Sequence, residues 1–302
     1  MKPIIGFIGL GTMGKGMATN ILKSNYPLWV YDINEKAMKE LETNGAKPAK
    51  GFRELVEKSN WIVLCLPDTS VVQAVLFGDD ALSEYLSAGQ IVIDCSTTHP
   101  LATKEFHGKL KGKGVIFIDA PVSGMEARAK DGTLTIMVGG DKAVYKEVKP
   151  LLKSMGKTIT YMGGPGSGQL AKVINNVLFN ISSAAVAEIL PLATKMGLDP
   201  EKMVEVAGTG TGQSFALNFF GPLILRRNFT PGYPMEKAYK DMSAIVEIIN
   251  NYKLPMPVTM AAFLTYQMAL NLGFGNENKG AMVKVWEKAL NIEVRKRKDD
   301  NE

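Results

Sequence analysis

Histidine is nearly absent, with only His99 and His107 in 302 residues. An imidazole acid/base therefore has two candidates. His107 falls in the polar, Lys-rich "LATKEFHGKLKGKG", which reads as a solvated helix. His99 stands in the loop "STTHP", beside a site rather than acting in one. Ser-His-Asp and zinc chemistry are thereby disfavoured. Cysteine is as scarce: Cys65 and Cys95 each lie inside an apolar run, the setting of a small buried thiol and not of a disulfide or metal site. A reducing, cytoplasmic location is the expectation. No uninterrupted run of 18 apolar residues occurs, and the start "MKPIIGFIGL" lacks a small-residue cleavage site, so neither a membrane span nor a signal peptide is expected. The net charge of +5 is partly concentrated in "KLKGKG" at 109–114 and in the mixed-sign tail "RKRKDDNE" at 295–302. Neither stretch interleaves aromatics, so no nucleic-acid partner is expected.

What is abundant is apolar material in short runs. "IIGFIG", "LWVYD", "WIVLCLP", "IVIDCS", "VIFIDA", "LTIMVGG" and "TITYMGG" alternate with helix-like stretches, the pattern of a parallel sheet covered on both faces. Turn residues crowd into "MGGPGSGQ" at 162–169, after which the chain reads as helices, interrupted by a loop-rich stretch from "GTGTGQSF" to "NFTPGYPM". The expected fold is α/β: a Rossmann-type, doubly wound, mostly parallel sheet domain over 1–164, then an all-helical domain over 165–302 that begins with a long interdomain helix at about 167–195.

"IIGFIGLGTMGKGMATNIL" sets Gly9, Gly11 and Gly14 in G-x-G-x-x-G spacing between the first strand and a helix. Gly9 permits the turn, Gly11 admits a pyrophosphate to the backbone and Gly14 allows close packing, with Leu10, Thr12 and Met13 completing the loop. A plain Gly-rich turn is the alternative, and Asp32 decides between them. It closes the second strand, where an acidic group accepts from both ribose hydroxyls and repels a 2′-phosphate. No Arg occupies 33–36, so NAD is favoured, with NADP left possible by Lys36. Two further strand ends point at the same crevice, Leu66 and Pro67 of "CLPDT" and Ser96 and Thr97 of "DCSTTHP", with an ordinary strand-terminating turn as the other reading of each.

A dehydrogenase also needs a proton donor, and with histidine set aside lysine is the next candidate. Lys172 lies in the first turns of the long helix among apolar neighbours, with Asn175 and Asn176 at i+3 and i+4 on its face. Burial there would lower its pKa from about 10.4. A snorkelling lysine is the other reading of the same residues. Lys240 and Asp241 form a second polar pair that could face either crevice or solvent.

With "GFIGLGTMGKGMA", "DAPVSG" plus "GTLTIMVGG", "GSGQLAKVINN", "NFTPGYPMEKAYKD" and "VKVWEKALNIEV", nearly the whole chain resembles the β-hydroxyacid dehydrogenases of the 3-hydroxyisobutyrate dehydrogenase type, which include tartronate semialdehyde reductase and 2-hydroxymethylglutarate dehydrogenase. The resemblance implies that Lys172 gives a proton to the carbonyl oxygen during reduction, and that Asn176 holds substrate or orients the lysine. It implies a substrate carboxylate on Ser123 and Gly124, Thr97 and Tyr233 near the nicotinamide, and Lys240 on the cofactor. It implies as well a small carboxylate substrate and a homodimer or homotetramer. The expected activity interconverts a short β-hydroxy acid and its semialdehyde, of the 3-hydroxyisobutyrate or 2-hydroxy-3-oxopropionate type. A larger semialdehyde such as succinic semialdehyde, or a non-catalytic cofactor-binding protein, are the alternatives. One departure stands out. The family commonly reads "PVSGG" where this chain has Met125: a methionine at negative φ can still supply a backbone N–H there, whereas a need for positive φ would require a different loop, and either way an apolar side chain borders the pocket.

Overall fold

The computed structural model describes residues 2–296; residues 297–302, most of the mixed-sign tail, lie outside the described residues. The chain divides into two compact units, Met1–Lys172 and Val173–Glu302.

The first unit is built on a nine-stranded sheet. Its strands are β1 (Ile5–Ile8), β2 (Leu28–Tyr31), β3 (Lys47–Pro48), β4 (Trp61–Leu64), β5 (Ile91–Asp94), β6 (Ile116–Asp119), β7 (Val122–Ser123), β8 (Leu134–Gly139) and β9 (Gly156–Gly163). Around it run α1 (Gly14–Lys23), α2 (Glu35–Glu42), α3 (Phe52–Glu57), α4 (Thr69–Phe77), α5 (Leu82–Tyr85), α6 (Pro100–Lys111), α7 (Met125–Lys130) and α8 (Lys142–Met155). Every apolar run read from the sequence becomes a strand. The two-residue β3 and β7 were not foreseen, because so short a strand carries no periodicity.

The order is β3-β2-β1-β4-β5-β6-β8-β7, with β9 pairing β8. The pairs among β1 to β6 are parallel, while β8 runs antiparallel to β6 and β7. Alternating residues feed opposite faces. Ile5 and Phe7 pack with Met17, Ile21 and Leu152, whereas Ile8, Ile62 and Leu64 pack with Leu76, Phe106 and Phe117. Each such side chain stabilises the fold by about 1.5–3 kcal/mol when taken from water. Register aligns the strand ends. Ile8 pairs with Tyr31 and Leu64, Leu64 with Asp94, and Asp94 with Asp119, so five strands end in one row. Chain order reverses between β1 and β4, which opens a crevice at that row.

A long helix, α9 (Ser167–Lys195), begins in the first unit and crosses into the second. It is followed by α10 (Pro200–Thr209), α11 (Phe215–Leu225), α12 (Met235–Tyr252), α13 (Pro257–Asn271) and α14 (Val283–Leu290). Val177, Ala184, Phe220, Ile224, Met242, Tyr266 and Met282 share the core of this unit. By length and composition α9 would suffice to cross a bilayer, yet its Val173, Val177, Ala187 and Leu190 belong to that same protein core. Helix α11 corrects the reading of 208–235 as loop-rich. Gly221 and Pro222 conceal a helix that Ser214 caps through Leu217 N–H and that buries Ala216, Phe220 and Ile224. Tertiary burial overrides the two breakers here. A buried lysine, Lys279, completes this core: its Nζ lies 2.5 Å from Asn180 Oδ1 and 3.8 Å from the Phe179 ring centre.

Candidate active site

The glycine loop leaves β1 through Gly9 at φ +97°, where a Cβ would come within 2.3 Å of the Cys65 carbonyl oxygen. A Cβ on Gly14 would lie 1.9 Å from the Gly9 oxygen, so any larger residue would force strand and helix apart. At Gly11, by contrast, a Cβ would meet nothing within 4 Å. The loop is tight beneath and open above. Thr12 and Met13 lead into α1, whose N-cap is Met13, without a side-chain cap or an acid in the first turn. That end of the helix is left to an external anion.

Asp32 follows β2 and does more than the sequence implied. Its Oδ2 accepts from Leu10 N–H at 2.5 Å and its Oδ1 from Asn34 N–H at 2.7 Å, which pins the glycine loop to the neighbouring strand end. Both oxygens keep further acceptor capacity. Beside it the Tyr31 ring meets Phe52 edge-on at 5.0 Å, and Phe52 with Ser70, Val71, Ala74 and Val75 lines an open hollow of about 520 Å³. The sequence reading missed this wall, whose only signal was a valine-rich helix after "CLPDT".

Further along the row, buried side chains lash the strand ends together. Leu66 N–H donates to Ser96 Oγ at 2.9 Å, while Asp94 accepts from Ser96 N–H at 2.9 Å and from the Thr98 hydroxyl at 2.8 Å. Gln169, fully buried in the first turn of α9, accepts from Thr98 N–H at 3.0 Å and donates to the Ser96 carbonyl at 2.8 Å. Thr97 is held between those two contacts. Asp119 accepts from Gly166 N–H and Gln169 N–H, both at 2.9 Å. Gly168 must be glycine for this approach, since a Cβ there would stand 2.4 Å from the Met137 oxygen. Burial raises the carboxyls of Asp94 and Asp119 above the ordinary range, against the hydrogen bonds that pull them down. Burial, and then the charge of Asp94, push the Cys65 thiol up to about 12. Asp94, Asp119 and Gln169 went unrecognised in the sequence, although an acid closing an apolar strand is a legible signal.

Ser123 ends β7, and Gly124 and Met125 turn the chain into α7. Met125 answers the question posed by its substitution: it holds φ +61° with 42% of its surface exposed. This corrects the expectation of a negative φ for a methionine here: the residue adopts the left-handed conformation and bears the strain. Replacing it by glycine should raise stability by about 0.5–1 kcal/mol, the left-handed penalty less the entropy glycine adds to the unfolded chain. A urea midpoint that does not rise would contradict this.

Lys172 is 9% exposed and lies one turn beyond Gln169. Asn176 is half-buried and donates to Asp241 Oδ2 at 2.9 Å, whereas Asn175, expected on the same face, is exposed. The polar column of α9 is instead Lys172, Asn176 and Asn180, four apart. In the helical unit Tyr233 is 44% exposed ahead of α12, and Lys240 is half-buried beside Asp241. His99 is the N-cap of α6, accepting from Leu101 N–H. His107 is half-buried rather than solvated, and burial, followed by Lys111, lowers its pKa.

Residues 4–163 match the NAD binding domain of 6-phosphogluconate dehydrogenase, and residues 166–286 the NAD-binding domain of NADP-dependent 3-hydroxyisobutyrate dehydrogenase. The chain is 34% identical to 2-(hydroxymethyl)glutarate dehydrogenase of Eubacterium barkeri, covering 96% of this chain and 97% of that protein. It is 35% identical to 2-hydroxy-3-oxopropionate reductase of Escherichia coli, over 95% and 98%. The chain belongs to the β-hydroxyacid dehydrogenase family. It is an NAD(P)-dependent oxidoreductase acting on a CH–OH group. Among solved structures, 3-hydroxyisobutyrate dehydrogenase of Mycobacterium tuberculosis with L-serine superposes at a TM-score of 0.85 and 27% identity, over 95% of this chain and 99% of that one. The residues of this dehydrogenase fit the dinucleotide on their own terms. The loop is open above Gly11, the first turn of α1 is uncapped by side chains, and Asp32 ends the second strand.

Proposed function

We propose that this dehydrogenase interconverts a short β-hydroxy acid and its semialdehyde, of the 3-hydroxyisobutyrate or 2-hydroxy-3-oxopropionate type, with Lys172 as general acid/base. The Asp119 tether carries the reading. One carboxylate closes β6, four residues before Ser123, and also holds Gly166 and Gln169. Lys172 is thereby fixed relative to the strand end that carries Ser123. The Ser123 hydroxyl and the backbone N–H groups at Gly124 and Met125 take the substrate carboxylate. In reduction the Lys172 ammonium gives a proton to the carbonyl oxygen, and in oxidation the amine takes one from the hydroxyl. Asn176, itself oriented by Asp241, holds substrate or steadies the lysine. Gly9 to Gly14, Asp32, Leu66, Pro67 and Thr97, with Tyr233 and Lys240, hold the cofactor, which supplies or accepts hydride when bound.

Asp32 favours NAD, because a carboxylate at the ribose repels a 2′-phosphate and no arginine offsets it. A cytoplasmic homodimer or homotetramer that binds neither nucleic acid nor membrane completes the proposal, in keeping with the free cysteines and the modest charge. The deciding assay is a panel of 3-hydroxy-2-methylpropanoate, 2-hydroxy-3-oxopropanoate and succinic semialdehyde, run with both cofactors. Turnover of the short acids, with NAD preferred by about tenfold or more, is expected, which corresponds to at least ~1.4 kcal/mol. An enzyme inert on the whole panel would sink the substrate assignment, and a strong preference for NADPH would overturn the role given to Asp32.

A further inference from the structure

Helix α7 follows the proposed carboxylate turn and is clamped in place. Asn20 Nδ2 donates to the carbonyl oxygens of Ala129 at 2.8 Å and Lys130 at 3.1 Å. Ala129 is fully buried, and a Cβ on Gly16 of α1 would stand 2.9 Å from its carbonyl carbon. The helix therefore has little freedom to swing away from the turn. On it, Arg128 lies four residues after Gly124, hence on the face that meets the glycine.

The contact is close. A Cβ on Gly124 would fall 2.8 Å from Arg128 Cβ, 2.9 Å from its Cδ and 3.1 Å from Leu134 Cδ2. The aliphatic stem of Arg128 thus occupies the space that any side chain at 124 would need. Its guanidinium, beginning one bond beyond Cδ, is held close to the turn. The neighbouring charges do not consume it. Glu126 pairs with Lys130 at 2.7 Å, and among the described residues no carboxylate comes within ion-pair distance of Arg128, whose surface is exposed. A long side chain is laid along a glycine without an ion-pair partner, against its conformational entropy. A planar, permanently charged fork in that position is suited to a carboxylate.

We propose that Arg128 is a specificity-determining residue that receives a second carboxylate of the substrate, making dicarboxylic β-hydroxy acids the preferred class. This rests on the reading of Ser123 and Gly124 as the site of the first carboxylate. Arg128 supplies a charge-assisted bidentate contact that a monocarboxylic substrate cannot use.

A matched pair of stable alcohols tests it: 3-hydroxy-2-methylpropanoate and 2-(hydroxymethyl)butanedioate, which differ in a methyl replaced by a carboxymethyl group. Oxidation with NAD is followed in the wild type, Arg128→Ala, Arg128→Lys and Lys172→Ala. Arg128→Ala should lower kcat/KM for the diacid about 30-fold, chiefly through KM, and for the monoacid less than about threefold. Arg128→Lys, which keeps the charge and loses the fork, should fall between. A diacid-to-monoacid ratio that stays within about twofold across the Arg128 variants overturns the inference, provided the wild type oxidises the monoacid in a Lys172-dependent way. A wild type inert on both alcohols removes the underlying reading instead. Because Arg128 is exposed, its variants are expected to keep the wild-type urea midpoint, and a shared loss on both substrates with a lowered midpoint also counts against the inference.

Discussion

Lys172→Ala should lower kcat by about a thousandfold while leaving cofactor affinity within about twofold, because a positioned acid/base contributes in that range and the dinucleotide residues lie elsewhere. Lys172→Arg should not rescue it. A guanidinium keeps the positive charge but cannot give up a proton near neutral pH. Steady-state kinetics together with direct titration of cofactor separate the two effects. Near wild-type turnover in a folded Lys172→Ala protein would remove the lysine from the chemistry. A loss confined to KM would reduce it to a binding residue.

The second large effect is structural. Asp119→Ala strands the N–H groups of Gly166 and Gln169 in a buried place and should cost about 3 kcal/mol, measured as a fall in the urea midpoint. Asp119→Asn, isosteric and uncharged, should cost less while still misplacing the start of α9, so kcat falls in a protein that remains folded. The two variants also differ from the wild type in their response to pH. Burial raises the Asp119 carboxyl above its ordinary 3.8, so the folded protein holds that proton more tightly than the unfolded chain does. The corresponding stability is present below 3.8 and is lost as pH rises through the raised value. Asp119→Asn lacks that loss, and its stability should fall less steeply over mildly acidic pH. An unchanged slope would contradict the assignment.

How legible the molecule was depended on the length scale of each signal. Strands such as "IVIDCS" and the twenty-nine-residue helix Ser167–Lys195 are periodic over their own length, and they stood out. Gly9, Gly11, Gly14 and Asp32 are a local code read within one βαβ unit. Asp94, Asp119 and Gln169 are different in kind. The two acids show only as strand-closing residues until the register of β5 and β6 sets their ends side by side, and no spacing within the chain reports that meeting or the arrival of Gln169 from α9. The same holds for Asp241, which finds Asn176 across 65 positions of sequence. Helix α11 was hidden for another reason, because its Gly-Pro pair outweighed an apolar face whose burial only the folded unit supplies.

The two sequence-family matches meet between residues 163 and 166, whereas the compact units part after Lys172. The opening turns of α9 therefore answer to the sheet, through Gln169 and Asp119, and not to the helices that come after. Anyone grafting the helical half of a related enzyme onto this one should place the crossover beyond Lys172. A junction drawn at the conventional border would pair a foreign helix start with native strand ends, and the chimera would lose the footing of Lys172, the proposed proton donor, while every module still looked whole.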